Sequence, residues 1–178
     1  ETSIYRRSGV ELPGYFRPEK KWDIVIIVNG RLLGALEFKA QVGPSFGNNY
    51  NNRSEEALGS ATDYWTAYRE GAFGRSPKPW LGYLMVLEDV ADCRRPVGVN
   101  EPHFPVFAEF REASYAKRYE LLLCKMVRER LYDAACLLMT PRSAAKTGAF
   151  AEPSAELSFV NFVESLLARI LAHLRTRF

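Results

Sequence analysis

The sequence predicts an α/β fold in which helices flank a central mixed β-sheet. Two apolar runs joined by Asn29-Gly30 predict a β-hairpin, and further short apolar runs alternate with segments of helical periodicity. The chain has 178 residues, of which 47% are hydrophobic. That length suits one domain with a substantial buried core.

The hairpin is the clearest element. Ile24–Val28 is apolar at every position, which predicts an interior strand that is covered on both faces. Asn-Gly is the strongest short-range signal for a hairpin turn, so Asn29-Gly30 is expected to reverse the chain. The second strand then runs to Glu37-Phe38-Lys39.

A polar, glycine-rich stretch over residues 41–53 follows the hairpin and is predicted to be a long ordered loop. Ser54 can cap the helix that comes next, and Glu55 and Glu56 suit the positive end of that helix. Gly71 is expected to end it.

The rest of the chain predicts two more strands and two more helices. Apolar residues at 80–87 and 134–139 indicate buried strands. Residues 89–105 form a second predicted loop. A helix is expected after Ser114, and a final helix carries an apolar stripe over residues 159–174.

The composition excludes several classes of protein. The 24 basic and 21 acidic residues give a net charge of +3, which permits nucleic-acid binding without arguing for it. No apolar run approaches the ~18 residues of a membrane-spanning helix, so we expect no membrane partner. No glycine-rich phosphate-binding motif is present. The cysteines lack zinc spacing and suit a reducing cytoplasm; they are Cys93, Cys124 and Cys136.

Three charged residues at the hairpin ends are candidates for catalysis. Asp23 opens the first strand, and Glu37 and Lys39 share one face of the second because side chains alternate with period two. Carboxylates suit Mg²⁺, which polarises a phosphate and activates water, and a lysine can orient that water or stabilise phosphate charge. The pattern predicts metal-assisted phosphodiester hydrolysis. The alternative is that all three are solvated strand-end charges.

The hairpin register decides whether the two acids can meet. A plain two-residue turn pairs residue i with residue 59 − i, which puts Asp23 opposite Leu36. A three-residue loop or one bulge changes the sum to 60 and puts Asp23 opposite Glu37. If these residues form a site, we expect one of those two irregularities.

The stretch after the hairpin concentrates side chains that can read DNA bases. Asn and Gln suit adenine, and Arg suits guanine, through paired hydrogen bonds in the major groove. The alternative is that the asparagines serve turns and helix caps. The candidate DNA-binding residues are Gln41, Asn48, Asn49, Asn51, Asn52 and Arg53.

Several blocks are more specific than any single spacing. They are Glu11-Leu-Pro-Gly-Tyr-Phe-Arg17-Pro18, Trp22-Asp23, Glu37-Phe38-Lys39, Gly43-Pro-Ser-Phe-Gly-Asn-Asn-Tyr-Asn-Asn-Arg53, Trp65-Thr-Ala-Tyr-Arg-Glu-Gly71, Glu101-Pro-His-Phe104 and Ser114-Tyr-Ala-Lys-Arg-Tyr-Glu-Leu121. Together these blocks resemble the XhoI family of type II restriction endonucleases, and the resemblance extends over nearly the whole chain.

The resemblance implies a restriction-endonuclease-like PD-(D/E)xK core in a single nuclease domain, residues 1–178, that lacks an N-terminal segment of the full-length protein. It also implies Mg²⁺-dependent double-strand cleavage within a short palindrome, CTCGAG in the best-known members. On the matching positions, Asp23, Glu37 and Lys39 are implied to be catalytic, and Asp23, Glu37 and Phe38 are implied to bind the metal ion.

The resemblance implies partners as well. Double-stranded DNA is the implied substrate, a palindromic target implies a twofold homodimer, and a cognate DNA methyltransferase is the implied functional partner in the cytoplasm. Two alternatives stay open. One is a repair or recombination nuclease of the same fold that recognises DNA structure, and the other is a DNA-binding module without catalysis.

Overall fold

The computed structural model describes residues 2–175, with residue 145 described by its backbone alone. Helices lie on both faces of a mixed sheet, which confirms the predicted α/β fold class. The strands are β1 (Thr2–Arg6), β2 (Glu11–Pro13), β3 (Glu19–Lys21), β4 (Ile24–Val28), β5 (Arg31–Gln41), β6 (Trp80–Glu88) and β7 (Ala134–Thr140). The α-helices are α1 (Phe46–Arg69), α2 (Ala91–Arg94), α3 (Tyr115–Arg128) and α4 (Phe159–Arg175).

The main sheet has the strand order β1-β4-β5-β6-β7. β1, β4 and β5 pair antiparallel, whereas β5, β6 and β7 pair parallel. β5 is therefore the strand at which the hairpin joins the parallel half. β2 and β3 form a separate antiparallel pair, which we call the ribbon. β1 and the ribbon were not predicted from the sequence, because these short segments carry no run of apolar residues.

The β4–β5 hairpin combines a two-residue turn with a bulge. Asn29 and Gly30 have φ values of 50° and 74°, as a type I′ turn requires. Paired residue numbers add up to 59 at Val28 and Ile27, next to the turn, and to 60 from Ile26 back to Ile24, because Leu33 is an extra residue in β5. The hairpin thus contains one of the two irregularities that would let the acids meet.

α1 begins at Phe46, so the loop predicted over residues 41–53 is wrong for most of its length. Phe46 is buried and stacks on Tyr115 of α3, and Tyr50 packs edge-on against a second tyrosine of α3. These contacts outweigh the weak helix propensity of glycine and asparagine. Ser54 is not a cap but lies inside the helix, where its hydroxyl donates to the carbonyl of Tyr50.

The other predicted elements are confirmed, with small shifts at their ends. β6 and β7 match the strands predicted at 80–87 and 134–139, and α4 matches the final helix. α3 begins directly after Ser114, whose hydroxyl accepts a hydrogen bond from the Lys117 N–H. The loop predicted over 89–105 is largely irregular but contains α2.

Two clusters of buried side chains lie on opposite faces of the sheet. The larger cluster packs under α1 and α3 and contains Trp22 and Trp65, and the smaller one packs under α4 and contains Trp80. Among the described residues of α4, only Phe162 is fully buried, and Leu171 on the outer part of the stripe is 52% exposed. The apolar stripe is therefore wider than the strip of sheet that it covers.

Two further observations concern long apolar helices and the cysteine thiols. No helix among residues 2–175 is long and apolar enough to cross a bilayer. The three cysteines are buried free thiols, and burial raises the pKa of Cys136 to about 12. A thiol that is buried and protonated is a poor nucleophile, so the cysteines are not candidates for nucleophilic catalysis.

Candidate active site

β5 carries a buried carboxylate next to a lysine. Glu37 follows the last residue of β5 that pairs with β4, and it is 6% exposed. Lys39 is on the same face of the strand, with its Nζ 2.6 Å from Glu37 Oε1. Tyr83 lies beside Glu37 in register on β6. Burial, followed by the charge of Glu37, raises the pKa of Tyr83, so this phenol stays neutral.

A second lysine holds the other oxygen of Glu37. Lys20 lies in β3 of the ribbon, and its Nζ is 2.9 Å from Glu37 Oε2. The ammonium also lies 4.4 Å from the ring centroid of Trp22. Lys20 was not predicted as a site residue, because its partner Glu37 is 17 residues away and the ribbon was not predicted. The only signal was the basic pair Lys20-Lys21, which is typical of a solvated surface.

Asp23 lies beside Glu37 at the end of the hairpin. Its N–H donates to the carbonyl of Leu36 at 3.1 Å, and its carboxylate accepts from the N–H of Phe38 at 2.7 Å. Asp23 is thus hydrogen-bonded to both chain neighbours of Glu37. Its carboxylate takes part in none of the ion pairs found within residues 2–175. The structure brings Glu37 and Lys39 into direct contact and Asp23 alongside them.

A cleft of about 690 Å³ opens above Glu37. The ribbon forms one wall, to which Arg17 and Lys20 contribute, and α1 forms the other, to which Glu56 and Gly59 contribute. The charged groups at the inner end of the cleft are therefore reachable from solvent. We call this space the cleft.

Glu56 connects the helix wall to the inner end of the cleft. Its Oε2 lies 3.7 Å from Lys39 Nζ and 2.6 Å from Arg53 Nη1. Burial raises the pKa of Glu56, but the hydrogen bond and charge of Arg53 and the charge of Lys39 outweigh burial and lower the pKa overall. Glu56 is consequently ionised at neutral pH, and Lys39 lies between two carboxylates.

A buried carboxylate on α1 fixes the tip of the ribbon. Asp63 is 4% exposed and accepts hydrogen bonds from the N–H groups of Tyr15 (2.7 Å) and Phe16 (2.8 Å) and from the Arg17 side chain (2.7 Å). A Cβ on Gly14 would lie 2.6 Å from Asp63 Oδ2, so the tip requires glycine there. Burial raises the pKa of Asp63, but these hydrogen bonds outweigh it and lower the pKa overall. We call this contact the Asp63 clamp.

The candidate base-reading residues lie on a helix and not on a loop. All but one fall in the first two turns of α1, where they are exposed or half-buried, and Arg53 is paired with Glu56. Gln41 is the exception, because it is 3% exposed at the end of β5 and its amide donates to the carbonyl of Val42. The residues on α1 are Asn48, Asn49, Asn51, Asn52 and Arg53.

The donor groups fit a hard divalent cation that takes few protein ligands. The Glu37 carboxylate already binds two cationic groups, which shows that cations can reach both of its oxygens, and Asp23 presents a second carboxylate beside it. Mg²⁺ usually takes one or two carboxylates and completes its shell with water and phosphate oxygens. Phe38 can contribute only its backbone carbonyl, because its side chain has no ligating atom. Within residues 2–175 no three His, Cys, Asp or Glu side chains come together in a group that could hold a metal ion.

Comparison with known proteins identifies the family. Residues 1–152 match the family described as restriction endonuclease XhoI. The chain is 55% identical over 172 residues to the type II restriction enzyme BstVI of Geobacillus stearothermophilus, which covers 94% of this chain and 77% of that protein. No solved structure matches the chain significantly.

Two further relatives are similar over shorter regions. The type II restriction enzyme AbrI of Azospirillum brasilense is 59% identical over 99 residues, which cover 56% of this chain and 45% of AbrI. The type II restriction enzyme XhoI of Xanthomonas vasicola is 48% identical over 127 residues, which cover 71% of this chain and 51% of that enzyme. The matched regions thus span about half the length of these two relatives.

The resemblance predicted from the sequence is therefore confirmed. All three relatives carry the name of type II restriction enzymes, which are site-specific deoxyribonucleases that act on DNA and generally need a divalent metal ion. The family match extends over most of the chain and includes the hairpin, the ribbon and α1. This chain belongs to the XhoI family of restriction endonucleases.

Proposed function

We propose that this chain is a Mg²⁺-dependent type II restriction endonuclease that makes double-strand cuts within a short palindrome, with CTCGAG as the expected sequence. The observation that supports this most is the buried Glu37 carboxylate in the cleft, with Lys39 at 2.6 Å and Asp23 hydrogen-bonded on either side of it. Membership of the family supports DNA as the substrate.

Each charged residue has its own part in the proposed reaction. Asp23 and Glu37 would hold the metal ion, with the backbone carbonyl of Phe38 as a further ligand. When bound, the ion polarises the scissile phosphate and lowers the pKa of a coordinated water. Lys39 orients the attacking water or stabilises charge on the phosphate oxygens. Glu37 and Glu56 together hold the Lys39 ammonium at the inner end of the cleft.

Base recognition is assigned to the exposed start of α1. Its asparagines suit adenine and Arg53 suits guanine, and both bases occur in each half of CTCGAG. A twofold palindrome is matched by a twofold homodimer, because protein symmetry mirrors the symmetry of the site. A cognate methyltransferase protects the host sites. The protein acts in the cytoplasm, where its free thiols stay reduced.

Plasmid cleavage tests this function. Wild type, Lys39→Ala and the matched control Lys21→Ala are incubated with Mg²⁺ and a plasmid that contains CTCGAG sites. Lys21 is an exposed lysine of the ribbon, so its loss removes the same charge without touching Glu37. Wild type and Lys21→Ala should give discrete fragments, and Lys39→Ala should be slower by ~10²-fold or more, as for the loss of one charge-stabilising group.

Three results would contradict the proposal. Cleavage that follows DNA structure and not sequence would indicate a repair nuclease. Binding without cleavage by wild type would indicate a DNA-binding module. Equal cleavage by wild type and Lys39→Ala would show that the reaction does not use this site.

A further inference from the structure

Each oxygen of the Glu37 carboxylate is held by a different lysine. Lys39 comes from the same strand, two residues further on, and its ammonium lies 2.6 Å from Oε1. Lys20 comes from the ribbon, and its ammonium lies 2.9 Å from Oε2. The proposed reaction gives Lys39 a part but leaves Lys20 without one.

The two lysines differ in what else holds them. Lys39 also lies 3.7 Å from the Glu56 carboxylate, so a second anion keeps it in place. Lys20 has no second carboxylate partner among the described residues. Its ammonium donates to the backbone carbonyl of Lys21 at 3.2 Å and lies 4.4 Å from the Trp22 ring centroid. Lys20 can therefore leave Oε2 and remain at the cleft wall on these weaker partners.

A divalent ion on Glu37 weakens the contact between the Lys20 ammonium and Oε2. An ammonium and a metal ion that share one carboxylate oxygen repel each other, and solvent screens them little, because the Lys20 and Glu37 side chains are 13% and 7% exposed. Lys20 lines the cleft, so a DNA phosphate that enters there offers its ammonium another anion and a charge-assisted hydrogen bond.

We propose that Lys20 occupies Oε2 of Glu37 while the site is free of metal, and that it moves to a DNA phosphate when a divalent ion takes that oxygen. Lys20 then competes with the ion before DNA arrives and makes the binding of ion and DNA cooperative. This inference rests on the proposed function, since it requires both an ion on Glu37 and DNA in the cleft.

The competition is tested by metal binding in the absence of DNA. Ca²⁺ binding to the whole chain is measured by calorimetry, with Tb³⁺ luminescence sensitised by Trp22 as a second readout. Lys20→Met keeps an unbranched apolar side chain that is one atom shorter and removes the ammonium, and it should bind Ca²⁺ about tenfold more tightly than wild type. Lys20→Arg should bind like wild type. The matched control Lys21→Met should change the affinity by less than about twofold, because its charge is solvated.

The transfer to DNA is tested by the coupling between the two ligands. Wild type should bind a CTCGAG duplex about tenfold more tightly when Ca²⁺ is present, whereas Lys20→Met should gain less than about threefold, since the lysine that links the two events is gone. Lys21→Met should couple like wild type. Equal coupling in wild type and Lys20→Met overturns the transfer.

The competition and the proposed function fail in different measurements. A Ca²⁺ affinity of Lys20→Met no greater than that of Lys21→Met overturns the competition. Thermal unfolding is measured for every variant, and Lys20→Gln replaces Lys20→Met if the latter does not fold. Plasmid cleavage by wild type with Mg²⁺ tests the proposed function separately. Cleavage without any effect of Lys20 on metal binding rejects this inference alone, whereas absence of cleavage rejects the function.

Discussion

Asp63 is the residue on which the position of the ribbon depends. Its carboxylate accepts two backbone hydrogen bonds from the ribbon tip and one from Arg17, at distances of 2.7 to 2.8 Å. Hydrogen bonds to a charged acceptor are stronger than neutral ones, and a buried donor left without a partner costs ~1–3 kcal/mol. The Asp63 clamp therefore stabilises the ribbon as one wall of the cleft.

Replacing Asp63 by Asn should lower the free energy of unfolding at neutral pH by about 2–3 kcal/mol, because the charge and one acceptor oxygen are lost. The folded pKa of Asp63 is below its ordinary value of 3.8. Its stabilising effect is therefore present above that value and is lost as pH falls through the folded pKa. Urea denaturation at neutral and acidic pH measures this, and the difference between wild type and Asp63→Asn should shrink in acid.

The exposed carboxylate Glu55, on the same helix, supplies the control for that experiment. Glu55→Gln should leave the free energy of unfolding within ~0.5 kcal/mol of wild type at both pH values, as surface substitutions usually do. A difference between wild type and Asp63→Asn that stays constant from neutral to acidic pH would show that the charge of Asp63 does not stabilise the clamp.

At the scale of elements, two glycines with open space around them have opposite effects on stability. Nothing lies within 4 Å of a Cβ built on Gly30 or on Gly59, so alanine at either position tests backbone conformation alone. Gly30 has a φ of 74° in the hairpin turn, a region that side chains disfavour. Gly59 lies inside α1, where glycine weakens the helix.

Gly30→Ala should lower the free energy of unfolding by about 1–2 kcal/mol, and Gly59→Ala should raise it by about 0.5–1 kcal/mol. Each variant serves as the control for the other, since both add a single methyl group in open space. Urea denaturation with circular dichroism measures both changes. A gain of stability in Gly30→Ala would contradict a left-handed conformation at Gly30, and a loss in Gly59→Ala would contradict an unhindered helical position at Gly59.

Elements defined by local patterns were predicted correctly, and those decided by distant contacts were not. The apolar runs predicted β4, β6 and β7, and helical spacing predicted α3 and α4. The start of α1 was missed because asparagine and glycine locally favour turns, whereas the stacking of Phe46 on Tyr115 fixes the helix. The spacing of Phe46 and Tyr50, four residues apart, was the signal available for it.

In the candidate site, too, contacts between residues close in sequence were predicted and contacts between distant residues were not. Glu37 and Lys39 are two residues apart on one strand, so alternation alone puts them on one face. Lys20 approaches Glu37 only because the ribbon folds over β5, and the sequence carries no local pattern for that arrangement. Asp63 is likewise too far from the ribbon tip for any spacing rule to connect the two. The charged residues of the hairpin could be predicted from the sequence, and the charged residues that approach it from the ribbon and α1 could not.

At the scale of the whole molecule, one sheet separates two buried clusters and connects them. Trp22 and Trp65 belong to the cluster under α1 and α3, and Trp80 belongs to the cluster under α4. β5 and β6 contribute side chains to both clusters, because their residues alternate between the two faces. Loss of either cluster therefore exposes the sheet to which the other is attached.

We expect both faces to unfold in a single transition, as proposed for one domain. In the double variant Trp22→Phe/Trp65→Phe, the fluorescence of Trp80 reports the smaller cluster, and circular dichroism reports the helices, most of whose residues lie in α1 and α3. The two signals should give the same urea midpoint. Different midpoints would show two separately folding units. The variant Trp80→Phe keeps Trp22 and Trp65, so its fluorescence reports the larger cluster and repeats the comparison from the opposite face of the sheet.

The bulge at Leu33 requires an even number of positions between Asp23 and Glu37 if the two residues are to lie opposite each other. With a two-residue turn and an unbroken ladder, residues opposite each other are separated by an odd number of positions, and one extra residue makes that number even. The separation of Asp23 and Glu37 is even. A relative with an odd separation and the same turn must therefore lack the bulge or carry a second one. We expect the length between these acids to vary by two residues at a time wherever the bulge is kept.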